Sequence, residues 1–284
     1  MRKATSFFKT MILFAGLTAL IVGISYLIGG RGAMMSGLLI AVVMNFFAYW
    51  FSDKMVLMGT GAQPLDPNSA PELYNDTKDL AHKMGIPMPK LYITADTQPN
   101  AFATGRNPKN GVVCVTEGLV RALDRNEVRG VIAHELAHIK NYDILISSVA
   151  AVFAAAISNI GNFFFIFGGG SQQENRSPLA AIGEIAMLVL APVAAMLIQF
   201  AISRTREYEA DATAAEYTGR PQDLARALLK IEQVARATPM DVNPAYASLF
   251  IQNPFSGEGM MELFSTHPLT EKRVAKLMRM KHRP

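Results

Sequence analysis

The sequence predicts an α-helical membrane protein with four transmembrane helices and a mainly helical catalytic domain that also contains a small sheet. Three observations support this prediction. Half of the 284 residues are apolar and only 18% are charged, a balance that indicates membrane segments. Four long runs are almost free of charge, and each can cross a hydrocarbon layer of about 30 Å. The polar segments between them contain both helical and strand patterns.

The first two runs are residues 11–28 and 33–51, which are separated by a glycine-rich turn at residues 29–32. The first run is longer than the apolar region of most signal peptides, and no clear cleavage site follows it, so we expect an uncleaved span. The second run ends in Tyr49, Trp50 and Phe51, an aromatic cluster typical of a membrane interface.

The third and fourth runs are residues 144–167 and 179–202. The fourth contains Glu184 near its loop end, which we interpret as an interfacial carboxylate. A buried helical hairpin is the alternative for these two runs, but their length and lack of charge favour the membrane. We therefore expect spans within residues 1–51 and 144–202, and two catalytic segments, residues 52–143 and 203–284.

The charge distribution predicts the orientation of the spans. All but two of the 27 Lys and Arg residues lie in the N-terminal tail or the two long polar segments, and the exceptions are Arg31 and Arg176. Since basic residues near spans stay in the cytoplasm, both termini and both polar segments are expected there. The net charge is only +4 and no basic cluster alternates with aromatic residues, so nucleic-acid binding has no support.

The chemistry is predicted by His134, Glu135 and His138, which form the pattern H-E-x-x-H. Positions four apart share one face of a helix, so both imidazoles can bind one metal ion. Glu135 then stands beside the metal, where a general base for a water molecule is needed. Asp124 and Glu127 predict a capping box at the start of this helix.

A catalytic zinc ion takes three protein ligands, so a third is required. Candidates are the carboxylates of a polar helical segment after the fourth run, Glu207, Glu209 and Asp211. Glu207 and Asp211 share one helix face, whereas Glu209 points elsewhere. With Glu207 as the ligand, Asp211 can accept a hydrogen bond from the outer nitrogen of His134. Asp143 is expected to cap or pair locally.

Strand patterns occupy residues 90–94, 100–105 and 112–116, with a turn at residues 107–111 between the last two. Further helices are expected at residues 72–84, 224–235 and 271–280. The single cysteine, Cys114, lies in the last strand pattern and excludes both an intrachain disulfide and a cysteine-based zinc site.

The H-E-x-x-H pattern, the hydrophobic hairpin and Glu207-x-x-x-Asp211 together resemble the membrane zinc endopeptidases that include the bacterial HtpX-type heat-shock proteases and the CAAX prenyl proteases. The four predicted spans and the block at residues 206–211 are most similar to the HtpX type. The resemblance implies a zincin-like catalytic domain, one Zn²⁺ per chain, and polypeptide substrates. It also implies quality control of membrane proteins at the bacterial inner membrane.

The same resemblance implies roles for two further segments. Asn100, Ala101 and Phe102 match an edge strand that holds the substrate backbone, although Asn100 alone also suits a turn after Pro99. His267 matches a residue that hydrogen-bonds the oxyanion, and a structural turn residue is the alternative. Three rival functions remain: a membrane protein with a non-catalytic structural or sensory zinc site, a transporter, and a prenyl-protein protease.

Overall fold

The structure is a computed structural model that describes residues 2–167, 192–193, 196, 203–238, 240, 242–252 and 268–280. The fourth apolar run lies almost entirely outside these residues. The predictions for Glu184 and His267 also lie outside them.

One long helix, α1 (Arg2–Gly59), contains both N-terminal runs, with a break at Gly29 and Gly30. Gly30 has a φ of 64° and a ψ of −153°, a conformation that only glycine adopts easily. The predicted turn is therefore confirmed at these two glycines, but it is shorter than expected because Arg31 and Gly32 are helical. The second limb also continues eight residues beyond Phe51, up to Gly59.

A four-stranded sheet in the order β1-β2-β4-β3 follows α1. The strands are β1 (Gln63–Pro64), β2 (Lys90–Thr94), β3 (Ala101–Thr104) and β4 (Val112–Thr116). β2 and β4 are parallel, and β3 pairs with β4 as an antiparallel hairpin. The strand predictions at residues 90–94 and 112–116 are confirmed to the residue, and β3 is two residues shorter than predicted.

Both faces of the β3–β4 hairpin are buried, because each face packs against different helices. Side chains alternate across a strand. Phe102 and Cys114 therefore join a core with α1 and α5, whereas Ala103 and Val113 join a second core with α4. The hairpin thus links the helices near the membrane to the helix that carries the H-E-x-x-H motif.

The other helices are α2 (Pro71–Met84), α3 (Glu117–Ala122), α4 (Arg125–Lys140), α5 (Ile144–Phe167), α6 (Arg204–Thr218), α7 (Pro221–Ala237) and α8 (Thr270–Arg279). The bounds of α5 coincide with the third predicted run. A 3₁₀ helix, Pro244–Leu249, packs against α5. Helix α4 packs against α2, α6 and α7, so the motif lies at the centre of the catalytic part.

The start of α4 is fixed by the predicted capping box, which the structure confirms. Asp124 accepts hydrogen bonds from the backbone of residues 126 and 127, and the Glu127 carboxylate accepts one from the Asp124 backbone. Glu127 is also paired with Lys230 of α7 at 2.7 Å. Gly130 lets α7 approach α4 closely, because a Cβ atom there would lie 3.0 Å from the Leu224 backbone nitrogen.

Two limbs of α1, Ser6–Tyr26 and Gly29–Gly59, are long and apolar enough to cross a membrane. Helix α4 and the first half of α5 pass the same test only together, and they are bent by 92°. The described residues therefore contain two candidate spans, or three if α4 and the first part of α5 together form a single bent span. The prediction of four transmembrane helices is reproduced only in part, as a mostly helical protein with two N-terminal spans and a small sheet.

Candidate metal centre

His134 and His138 lie one turn apart on α4 and direct their Nε2 atoms to a common point, with 3.1 Å between these atoms. His134 is 1% exposed, whereas His138 is 16% exposed and faces the cleft beside the motif. Apolar residues around the motif, including Ile132, Leu136 and Ile139, are fully buried and hold the helix in place. The geometry follows directly from the i, i+4 spacing.

Glu207 comes from the first turn of α6, which packs directly against α4. Its Oε2 atom lies 3.6 Å from Nε2 of His134, and its Oε1 atom lies 3.5 Å from Nε2 of His138. Within the described residues, these three side chains form the group of donors close enough to hold one metal ion. The structure thus brings together the three residues predicted as ligands.

The donor set fits zinc in both chemistry and spacing. A tetrahedron with bonds of about 2.0–2.1 Å has edges of about 3.3–3.4 Å between ligand atoms. The two Nε2 atoms are 3.1 Å apart, close to such an edge, and the Glu207 carboxylate spans them with Oε2 at 3.6 Å from His134 and Oε1 at 3.5 Å from His138. Two imidazoles and one carboxylate are the protein ligands of one class of catalytic zinc site, which keeps a fourth position for water.

Asp211 lies one turn after Glu207, and its Oδ1 atom is 3.0 Å from Nδ1 of His134. This contact matches the predicted role of Asp211 as the acceptor for the outer nitrogen of His134. Burial opposes protonation of His134, but hydrogen bonds with Asp211 and Glu207 outweigh burial and raise the pKa of the imidazole to about 9.

Sequence reasoning missed Arg273, which is 1% exposed and extends from α8 into the site. Burial opposes ionisation of Asp211, but the adjacent Arg273 guanidinium and the bond with His134 lower the pKa of this carboxyl to about 2. Arg273 also donates to the carbonyl oxygen of Ile251 at 3.1 Å. The one signal for Arg273 in the sequence was its place six residues after His267, for which the resemblance implied a role.

Asp143 was expected to cap or pair locally, and its local partner is the motif histidine His138. Its Oδ2 atom lies 3.3 Å from Nδ1 of His138, and its Oδ1 atom lies 3.4 Å from Nη1 of Arg206. Each motif histidine therefore has a carboxylate beside its outer nitrogen. Tyr142 makes this possible, since its φ of 62° turns the chain sharply between α4 and α5.

Glu135 is 2% exposed and lines the cleft beside the two histidines. Burial raises the pKa of its carboxyl, although the neighbouring imidazoles oppose this shift. A carboxylate with a raised pKa is a stronger base, which suits a group that must accept a proton from water. Glu209 does not belong to the cluster of metal-binding side chains found in the described residues.

The edge of β3 is partly occupied by the chain itself. The Ala101 carbonyl accepts a hydrogen bond from the Ile251 N–H at 2.9 Å, and the Asn100 side chain donates to the Gln252 carbonyl at 2.9 Å. Phe102 packs edge-on against Phe250, with ring centroids 5.1 Å apart. Asn100, Ala101 and Phe102 are all at most 1% exposed, so they are not an open edge.

Ala103 is the residue of β3 that lines the cleft with Glu135. The Asn100 carbonyl accepts a hydrogen bond from the Thr116 N–H of β4, so even-numbered residues of β3 turn their backbone groups toward β4. Ala101 and Ala103 consequently turn theirs toward the outer edge, where Ile251 bonds to Ala101 and Phe250 forms an isolated antiparallel bridge with Phe102.

Comparisons with known proteins agree with this geometry. The family described as Peptidase family M48 matches residues 67–281. A protein named "Protease HtpX homolog" from Methylibium petroleiphilum is 51% identical over 276 residues, and one of the same name from Burkholderia ambifaria is 50% identical over 275 residues. In both comparisons 96% of each chain is covered.

A solved structure has a similar fold. The crystal structure of S. mikatae Ste24p matches with a TM-score of 0.51 and 20% sequence identity. The match covers 97% of this chain and 66% of that chain.

Proposed function

We propose, from the premise that this chain belongs to peptidase family M48, that it cleaves misfolded or damaged membrane proteins at the cytoplasmic face of the bacterial inner membrane. It is a membrane metalloprotease, and we assign its metal as one Zn²⁺ per chain. The observation that carries the proposal is the convergence of His134, His138 and Glu207 beside the buried carboxyl of Glu135.

In the proposed reaction, His134, His138 and Glu207 hold the metal. Zinc, when bound, lowers the pKa of a coordinated water to about 7 and polarises the scissile carbonyl. Glu135 accepts a proton from the attacking water and later delivers it to the leaving amine. His267 is assigned as a hydrogen-bond donor to the oxyanion, by resemblance alone.

The substrate backbone is proposed to pair with the outer edge of β3 at Ala103. This assignment is supported by the position of Ala103 in the cleft and by the outward direction of its backbone groups. The substrate-binding residue is therefore placed at Ala103, closer to the metal centre than the predicted Asn100, Ala101 and Phe102. Main-chain hydrogen bonds of this kind bind extended peptides with little dependence on sequence, which suits a protease that acts on many damaged proteins.

The proposed topology has four transmembrane helices, two within residues 1–51 and two within residues 144–202. Two cysteine variants test the orientation in intact cells. We expect an impermeant maleimide to label Ser171→Cys and not Lys78→Cys, which is at an exposed position of α2. The native Cys114 should not be labelled, because it is fully buried and burial raises the pKa of its thiol. The opposite labelling pattern would contradict a cytoplasmic active site.

The activity is tested with detergent-purified full-length protein that is stripped of metal and then given zinc. We expect zinc to restore cleavage of a destabilised membrane protein and of casein. Glu135→Gln should bind zinc as tightly as the parent protein while cleavage falls by about 10²–10⁴-fold or more, because the base is lost and the ligands remain. Full activity in zinc-loaded Glu135→Gln would refute the mechanism. Equal cleavage of folded and destabilised substrates would refute quality control.

A further inference from the structure

A second cleft lies apart from the metal centre, between the start of α1, the β3–β4 hairpin and the elbow that joins α4 to α5. Its walls include Ser6, Thr10, Tyr49, Arg106, Lys109 and Tyr142. None of the residues that line it also lines the metal centre. Catalysis therefore does not account for this cleft.

The charged residues of the cleft are both basic. Arg106 and Lys109 come from the hairpin loop, and within the described part of the chain neither lies within 4.0 Å of a carboxylate. The Arg106 guanidinium packs over the ring of Trp50, with 4.4 Å between its Cζ atom and the ring centroid. Its polar contact is a weak one with Asn110, at 3.5 Å. Stacking on an aromatic face leaves the edge of a guanidinium open to bind an anion.

The cleft lies beside the ends of the two apolar limbs of α1, where we expect the membrane interface. The Asn45 amide donates to Thr18 at 2.8 Å, which sets the register of the two antiparallel limbs of α1. This register places Ser6 and Thr10 beside the stretch that follows Tyr49, where aromatic side chains give way to charged ones. The limb Gly29–Gly59 has 31 residues, about 46 Å of helix, and so extends well beyond a hydrocarbon layer of about 30 Å.

We propose that this cleft binds the phosphate headgroup of an anionic phospholipid. Arg106 and Lys109 supply the charge, and Tyr49 and Tyr142 lie on the same walls. Phe7 also lines the cleft and is 58% exposed, so an apolar surface adjoins the basic one. That combination matches a lipid, with its acyl chains in the membrane, better than a soluble phosphate.

Trp50 provides a direct readout, since it is the one tryptophan in the chain and lies against Arg106. The full-length protein is reconstituted in vesicles of phosphatidylcholine with brominated acyl chains, which quench tryptophan fluorescence. Unbrominated phosphatidylglycerol is then exchanged for part of this lipid, and the recovery of fluorescence gives the preference for phosphatidylglycerol. We expect a preference of about 25-fold, because each basic residue near an anionic lipid contributes about fivefold.

The variants separate this site from general attraction to the membrane. Lys109→Gln should lower the preference about fivefold, and Arg106→Gln with Lys109→Gln should remove it. Lys78→Gln, at an exposed position of α2, is the matched control and should behave as the parent protein. Lys109 is exposed, so we expect the single variant to fold and give a result even if the double variant folds poorly.

Three results would overturn the proposal. The first is a parent protein that shows no preference for phosphatidylglycerol over phosphatidylcholine. The second is a Lys109→Gln variant with the full preference of the parent. The third is displacement of phosphatidylglycerol by an equal concentration of soluble glycerol phosphate, which would assign the cleft to a soluble anion.

Discussion

Arg273 donates two hydrogen bonds to the carboxylate of Asp211, at 2.9 and 2.7 Å, although the two residues are 62 positions apart in the chain. Both side chains are at least 98% buried. The pair keeps Asp211 ionised in the interior, where it can accept a hydrogen bond from His134. An ionised acceptor at Nδ1 orients the imidazole so that Nε2 faces the metal position.

Replacement of Arg273 alone should therefore lower the stability of the protein more than replacement of both Arg273 and Asp211. Arg273→Met leaves a buried carboxylate without its partner, and we expect it to lower the free energy of unfolding by about 3–5 kcal/mol. Addition of Asp211→Asn should restore most of that stability but leave zinc affinity about 10- to 100-fold below that of the parent protein. Denaturant unfolding and zinc competition measure the two effects.

The control for this pair is Lys272→Met, which alters the exposed neighbour of Arg273 on α8 and should change neither quantity. If Arg273→Met were as stable as the parent protein, the pair would have no structural role. If the double variant bound zinc normally, Asp211 would have no role in the orientation of His134.

Glu207 is expected to be the third zinc ligand. Glu207→Ala should lose most of the bound zinc and all cleavage, because two imidazoles alone leave the site one protein ligand short. Glu209→Ala, two residues later on the same helix, is the matched control and should keep both. The zinc content of the two purified variants tests this prediction. A full zinc content in Glu207→Ala would refute the assignment.

Asp143 should contribute to zinc binding through His138. Asp143→Ala removes the carboxylate beside Nδ1 of His138, and we expect zinc affinity to fall at least about tenfold. Asp143→Asn should lose less, since its amide oxygen can still accept a hydrogen bond from the imidazole. Equal affinities in Asp143→Ala and the parent protein would show that the 3.3 Å contact has no effect on the metal.

Zinc binding should depend on pH through His134. Its pKa is raised from 6.5 to about 9, so a proton occupies the imidazole at neutral pH and zinc must displace it. Apparent zinc affinity should rise about tenfold per pH unit up to about pH 9. Before metal binds, the raised pKa stabilises the fold fully below pH 6.5, and this stabilisation is lost as the pH rises through about 9.

A zinc-binding chromophore used as a competitor between pH 6.5 and 9 measures this dependence. An affinity that did not change over this interval would show that the imidazole is neutral before zinc binds.

Ala103→Pro tests the proposed contact with substrate. Proline removes an N–H that points out of the sheet, so the pairing of β3 with β4 should survive. We expect cleavage of an extended peptide to fall about five- to tenfold, the equivalent of one backbone hydrogen bond of about 1.0–1.4 kcal/mol, with zinc content unchanged. Ala103→Gly keeps the N–H and serves as the control. Normal cleavage by Ala103→Pro would place the substrate elsewhere.

Local features were readily predicted from the sequence, because neighbouring residues and backbone geometry determine them. The i, i+4 spacing of His134 and His138 aligns their imidazoles on any α-helix. The capping box of Asp124 and Glu127 and the bounds of α5 needed only local signals as well. Glu207 could also be predicted, because the hairpin expected at residues 144–202 would return the chain to the side from which it departed.

Other contacts between distant residues were decided by the tertiary structure alone. Arg273 beside Asp211, Ile251 on the edge of β3, and the basic cleft beneath Trp50 each join segments separated by more than 50 positions. No periodicity in the sequence encodes these contacts, because they depend on the path of the chain between the segments and on how α4, α6 and α8 pack. The sequence by itself predicted the candidate metal ligands and Asp211 as the partner of His134, whereas packing determined that Arg273 supports Asp211 and that residues 250 and 251 cover part of the β3 edge.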